Sequence, residues 1–164
     1  MKNKSVLFLA QAAIIAALYV VLTWIAAELG LSSGVIQVRF SEALTILPFF
    51  TAAAIPGLFI GCLLANVLTG AVIWDIIFGS LATLIGAVVT YALRKTKIKW
   101  LAPLPPIVAN TLIVPWVLRF AYGSPDAIWY MALTVGAGEI ISCGILGMIL
   151  LFALLPHRSQ LFAE

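Results

Sequence analysis

Residues 38–75 read VRFSEALTILPFFTAAAIPGLFIGCLLANVLTGAVIWD. Arg39 and Glu42 open this stretch and Asp75 closes it, and the 32 residues between the two acids carry no charge. A single α-helix of that length would be ~48 Å long at ~1.5 Å per residue. The hydrocarbon core of a bilayer is only about 30 Å thick. The run is therefore too long for one span, and Pro56-Gly57 supplies a break in its middle. The expectation is two short helices, about 41–54 and 57–72.

Outward from this stretch, four more apolar segments stand out, at 5–27, 76–93, 102–119 and 128–154. The fourth helix, 76–93, ends at the basic run RKTKIK, residues 94–99. The 164 residues are 64% hydrophobic and only 9% charged, with a mean hydropathy of +1.19. A soluble domain has about a quarter charged residues, so this composition excludes a water-soluble protein. The basic N-terminus looks like a signal peptide, but its apolar stretch, Ser5 to Ala27, exceeds the roughly 7–15 residues of a signal core. It reads as a retained first span. The expected fold is all-α, a single membrane domain (1–164) of six transmembrane helices.

Cytoplasmic loops collect Lys and Arg. Placing both termini in the cytoplasm puts Lys2, Lys4, Arg94, Lys95, Lys97, Lys99 and Arg158 inside, and only Arg39 and Arg119 outside. The net charge of +3 is therefore topology, and no nucleic-acid partner is expected. The acids run the other way. Glu28, Glu42, Asp75 and Asp126 fall at outer ends or loops, Glu139 falls inside helix six, and only Glu164 is cytoplasmic.

Glu139 lies ten residues into helix six, ~15 Å deep. A charge at a helix centre costs roughly 2.5–3.5 kcal/mol on insertion scales. Either a ligand in a polar cavity or a hydrogen bond to a neighbouring helix would explain it. Asn110 is ~13 Å deep in helix five, and Asn66 is buried in helix three. Both fit a shared pocket or interhelical hydrogen bonding. Trp74 beside Asp75, and Trp116 one turn below Arg119, fit pocket walls with polar contacts; the alternative is the interfacial aromatic belt. For Arg39 and Glu42 two readings stand. Ser41 caps a helix whose dipole favours Glu42 in its first turn, or the loop folds over a ligand, with Glu42 binding it and Arg39 balancing the charge.

Catalysis is not expected. There is no GxxxxGK-S/T phosphate loop, and the one histidine, His157, has no ligand companions. Cys62 and Cys143 lie in apolar runs as packing residues, so neither a disulfide nor a metal or other cofactor is implied. In helix one, Ala12 and Ala16, and Ala13 and Ala17, form two columns of small residues. Such columns let helices approach closely in lipid, within the bundle or against a partner protein. Gly57, Gly61 and Ala65 repeat the spacing in helix three, where bundle packing suffices.

Three runs, VRFSEALTILPFF (38–50), AIPGLFIGCLLANVLTG (54–70) and WDIIFGSLATLIGAVVTYALRK (74–95), resemble the QueT family. These are substrate-binding S components of energy-coupling-factor (ECF) transporters. The resemblance implies a six-helix subunit of the bacterial cytoplasmic membrane that binds an extracellular micronutrient and topples in the bilayer. A transmembrane coupling subunit and two ATPases would drive release, with the alanine columns docking on the coupling subunit. It implies a queuosine precursor as ligand, such as 7-aminomethyl-7-deazaguanine or queuine. Cobalamin is the alternative within S components, and a small intramembrane enzyme is the alternative in another class. A planar base wants a bidentate carboxylate and an aromatic face. Glu42, Asp75 and Glu139 with Trp74 and Trp116 can supply that set.

Overall fold

The structure is a computed structural model and describes residues 4–32, 35–96 and 98–162. Lys2, Lys97 and Glu164 lie outside the described residues. Six helices form the body: α1 (Lys4–Glu28), α2 (Phe40–Phe49), α3 (Ala54–Leu68), α4 (Ile73–Leu93), α5 (Leu104–Phe120) and α6. The last begins as Ile128–Glu139, loosens into a π-helical segment, Ile140–Leu146, and continues as Gly147–Leu154. No strand occurs among the described residues. Four helical runs, Lys4–Glu28, Ile73–Thr96, Lys99–Phe120 and Ile128–Leu161, are long and apolar enough to cross a membrane. α2 and α3 are shorter apolar helices. The chain is a multi-pass membrane protein.

Side chains are sorted as lipid demands. α1 buries Ala12, Ile15, Ala16, Tyr19, Thr23 and Ala26, while Leu9, Ile14, Leu18, Val21 and Trp24 are exposed. Lipid tails are as apolar as leucine, so large apolar groups gain nothing by turning inward; small residues that allow close approach, and polar ones needing partners, turn inward instead.

The long uncharged run does divide, but at residues 50–53, earlier than the Pro56-Gly57 break that the sequence indicates. Pro56 sits in the first turn of α3, where its missing N–H leaves no hydrogen bond unmade. Gly57 and Gly61 serve packing. A Cβ on Gly57 would meet the Ala12 carbonyl oxygen at 2.8 Å, and one on Gly61 would meet Tyr19 Cβ at 2.8 Å and Ala16 Cα at 3.0 Å.

α2 is wound as a ten-residue 3₁₀ helix, where runs beyond three or four residues are uncommon. Its tighter coil carries it further per residue, and it is the centre of the bundle, touching α1, α3, α4 and α6. Leu44, Ile46, Leu47 and Phe49 of α2 join Phe50, Ile15, Leu58, Met148 and Leu151 in the core. Ser41 does not cap it: the helix starts after Arg39 with no side-chain cap, and the buried Ser41 hydroxyl instead accepts from Thr23 at 2.8 Å. At the far end of α2, Phe50 stacks on Phe162 at 5.1 Å, and Gln11 donates to the Leu161 carbonyl, fastening the C-terminal segment to α1.

The two alanine columns of α1 separate. Ala12 and Ala16 are buried against Gly57 and Gly61, so this column is used inside the bundle. Ala13 and Ala17 are exposed. Gly61→Ala should therefore lower stability by about 1–3 kcal/mol, the usual effect of overpacking, while Ala13→Leu should stay within about 0.5 kcal/mol. Thermal unfolding in detergent compares the two, and equal melting temperatures would refute this packing.

Candidate ligand-binding site

Elements from across the bundle bring polar groups to one cavity. α2 presents Glu42 in its first turn, and α3 contributes Cys62. α4 contributes Asp75, Gly79 and Thr83, α5 Asn110 and Val114, and α6 Val135 and Glu139; the loop before α2 adds Gln37 and Arg39. The free volume is only about 30 Å³, room for a water or two and not for a ring.

Each carboxylate receives a hydrogen bond from a neutral donor. The Tyr19 hydroxyl donates to Glu42 in a short, fully buried contact. Tyr122 donates to Asp75 Oδ2 at 2.9 Å, and the Cys143 thiol donates to Glu139 Oε2 at 3.1 Å. Cys143 Sγ is also 4.0 Å from Glu42 Oε2, and it accepts from Thr45 at 3.3 Å. Glu42, Glu139 and Cys143 thus place one ligating atom each within 4.8 Å of one another.

Glu139, Ser142 and Cys143 stand at i, i+3 and i+4 on α6, a spacing that puts all three on one face. Glu139 immediately precedes the π-helical segment, and Ser142 and Cys143 lie within it. A π-turn widens the helix locally and is frequent at functional sites. Ser142 Oγ accepts the Arg39 backbone N–H at 3.1 Å. One turn earlier, Gly138 passes so close to the loop that a Cβ there would lie 2.1 Å from the Gln37 carbonyl oxygen. Only glycine permits that approach. The loop before α2 is therefore clamped onto α6.

Three carboxylates face one guanidinium. Burial opposes the charge on Arg39, but the Asp75 and Glu42 carboxylates offset it, so its proton is held more tightly than usual. Burial, and then the hydrogen bond to Asp75, raise the Tyr122 phenol above its ordinary value. It stays protonated at neutral pH and remains a donor.

Of the residues singled out in the sequence, the structure gathers Arg39, Glu42, Asp75, Asn110 and Glu139 in this lining. Asn66 is buried behind it, its amide donating to the Asp75 carbonyl at 3.5 Å. Trp74 and Trp116 do not join this lining. They are 55% and 52% exposed and line a separate apolar groove of about 590 Å³ between α4 and α5, stacked on Phe78 and Phe120. Neighbours in a helix point about 100° apart, so with Asp75 turned inward Trp74 faces lipid. Arg119 is likewise outside the cavity: it is exposed and donates to the Ser124 carbonyl at 2.8 Å. Tyr19, Gln37, Thr83, Tyr122 and Cys143 were not anticipated. Tyr19 was legible in principle, since it continues the helical spacing of Ala12, Ala16, Thr23 and Ala26 as a polar group on the small-residue face.

The family model described as QueT transporter matches residues 9–156. The Queuosine precursor transporter QueT of Lactococcus lactis subsp. cremoris (strain MG1363) is 39% identical over 85 residues, 52% of this chain. The match spans about half of that relative's length, 50%. No solved structure matches this chain.

Tyr19→Phe removes the hydroxyl that donates to the buried Glu42 carboxylate and keeps the ring. A hydrogen bond to a charged group contributes about 1.5–3 kcal/mol, so the variant should unfold more easily by that amount in detergent. An unchanged melting temperature would show that Glu42 does not depend on Tyr19.

Proposed function

Because the chain belongs to the QueT transporter family, we propose that it is the substrate-binding S component of an ECF-type importer. Its ligand is a queuosine precursor, a 7-deazaguanine base. The observation that carries this reading is the convergence of Glu42, Asp75, Glu139, Asn110 and Arg39 on one cavity inside a bundle with a lipid-adapted exterior. Intramembrane ionisable groups mark substrate pathways when they share an interior cavity. A deazaguanine edge offers two parallel N–H donors to a carboxylate, a charge-assisted and geometrically specific pairing. An exocyclic amine engages a second carboxylate, and Arg39 donates to the base carbonyl. The name of the curated relative, a queuosine precursor transporter, agrees with this ligand.

In this reading six helices cross the bilayer with both termini in the cytoplasm, as the Lys and Arg distribution favours. The cavity opens to the outside, and the loop carrying Arg39 roofs it. The exposed Ala13 and Ala17 column docks on the transmembrane coupling subunit, and two partner ATPases hydrolyse ATP. Cobalamin fits less well, because its many amide groups need many amide partners, and the polar groups of this lining are mainly charged, with Gln37 and Asn110 as its amides.

Titration of the detergent-purified protein with queuine, 7-aminomethyl-7-deazaguanine and cobalamin tests the ligand. Glu139→Gln turns a carboxylate acceptor into a mixed donor and acceptor, and affinity for the base should fall about ten- to a hundredfold. Cobalamin binding without base binding would overturn the reading. Docking has its own test: Ala13→Leu should abolish co-purification with the coupling subunit and slow uptake, while affinity for the base stays unchanged. Normal uptake in that variant would rule out the α1 face.

A further inference from the structure

We propose that Tyr122 is a latch on the cavity, and that the α5–α6 loop, rather than the loop before α2, is the wall that opens first to admit ligand. The inference rests on the proposed function, and concerns how the same site is entered.

With about 30 Å³ of free volume, the cavity cannot receive a ring-sized molecule until a wall moves. The two loops that reach it are held very differently. The loop before α2 is anchored to α6 at two points: Arg39 N–H donates to Ser142, and the Gln37 carbonyl is wedged against Gly138; Val38 N–H also ties the loop to itself at the Leu31 carbonyl, 3.0 Å away. Displacing it breaks close packing and backbone hydrogen bonds together.

The α5–α6 loop, residues 121–127, is bonded mostly to its own helix. Tyr122 and Ser124 N–H groups donate to the Val117 and Leu118 carbonyls, and Arg119 holds the Ser124 carbonyl. Among the described residues, the loop is tied across to α4 through Tyr122, whose hydroxyl donates to Asp75 and lies against the Val72 backbone at the helix start.

The three donor–carboxylate pairs also differ in cost of release. Tyr19 and Cys143 are fully buried, so parting either from its acid strands polar groups in an apolar interior. Tyr122 is 46% exposed, and water can take the place of its hydroxyl on Asp75. Asp75 itself lines the cavity. Releasing Tyr122 therefore frees a ligand-facing carboxylate and unties the loop in a single step. Tyr122 is a positioning residue, acting through Asp75 and the loop.

Cys62, buried in the cavity lining, serves as a native reporter. With Cys143→Ser as common background, the rate at which a small trimethylammonium methanethiosulfonate reagent labels Cys62 in the purified protein reports opening without any ligand. Tyr122→Phe, which keeps the ring and removes the tie, should speed labelling roughly tenfold, the effect expected of one lost hydrogen bond. Tyr122→Leu should do the same, so a folding failure in one variant leaves the other. Labelling at the background rate in the folded variants, whatever their melting temperatures, overturns the latch. In parallel, the association rate of 7-aminomethyl-7-deazaguanine should rise by the same factor. Faster labelling with no base binding retires the ligand reading and leaves the latch. Base binding at an unchanged association rate and unchanged labelling retires the latch and leaves the ligand reading.

Discussion

A carboxylate surrounded by hydrocarbon must find hydrogen-bond donors from its own protein, because the bilayer supplies none. Three such groups, Glu42, Asp75 and Glu139, lie in one cavity here, and each draws its donor from a different segment: Tyr19 on α1, Tyr122 after α5, Cys143 on α6. A charge costs roughly 2.5–3.5 kcal/mol at depth on insertion scales, and a hydrogen bond to a charged group offsets about 1.5–3 kcal/mol. The two are comparable. Glu42 and Asp75 thus tie separate segments together as well as lining the cavity, while Glu139 is satisfied within α6.

That arrangement demands close helix packing, and glycine supplies it at points that include Gly57, Gly61 and Gly138. Gly57 and Gly61 let α3 lie on the Ala12 and Ala16 column of α1, and Gly138 lets α6 lie on the Gln37 carbonyl. In lipid, where burying apolar surface brings no gain, such contacts and the polar pairs carry association between helices. The first two bring Tyr19 within reach of Glu42. The third brings the Arg39 backbone to Ser142.

Departures from regular α-helix do the remaining placement. α2 is overwound into a 3₁₀ form through the core, and the facing part of α6 is underwound into a π-helix. The first carries Glu42 from the cavity while its far end meets the C-terminal segment at Phe50. The second holds Ser142 and Cys143, which stand at i+3 and i+4 from Glu139 and so share its side of α6.

Much of the fold is legible in the sequence, because hydrophobicity and length are local properties. Six apolar segments, the need to divide residues 43–74, and the expense of Glu139 at depth all follow from composition and helix rise. Five of the polar residues in the lining, Arg39, Glu42, Asp75, Asn110 and Glu139, stand out for the same reason: a polar group in an apolar run needs an explanation wherever it falls. What tertiary structure alone decided is which way side chains point and what they meet. Trp74 and Asp75 are adjacent in sequence but separate to lipid and cavity by helical rotation, and Ala12 and Ala13 separate to bundle and surface in the same way. Neither the Tyr19–Glu42 nor the Tyr122–Asp75 pair, 23 and 47 residues apart, has a local signature, since each exists only once glycine contacts have set the helices in register.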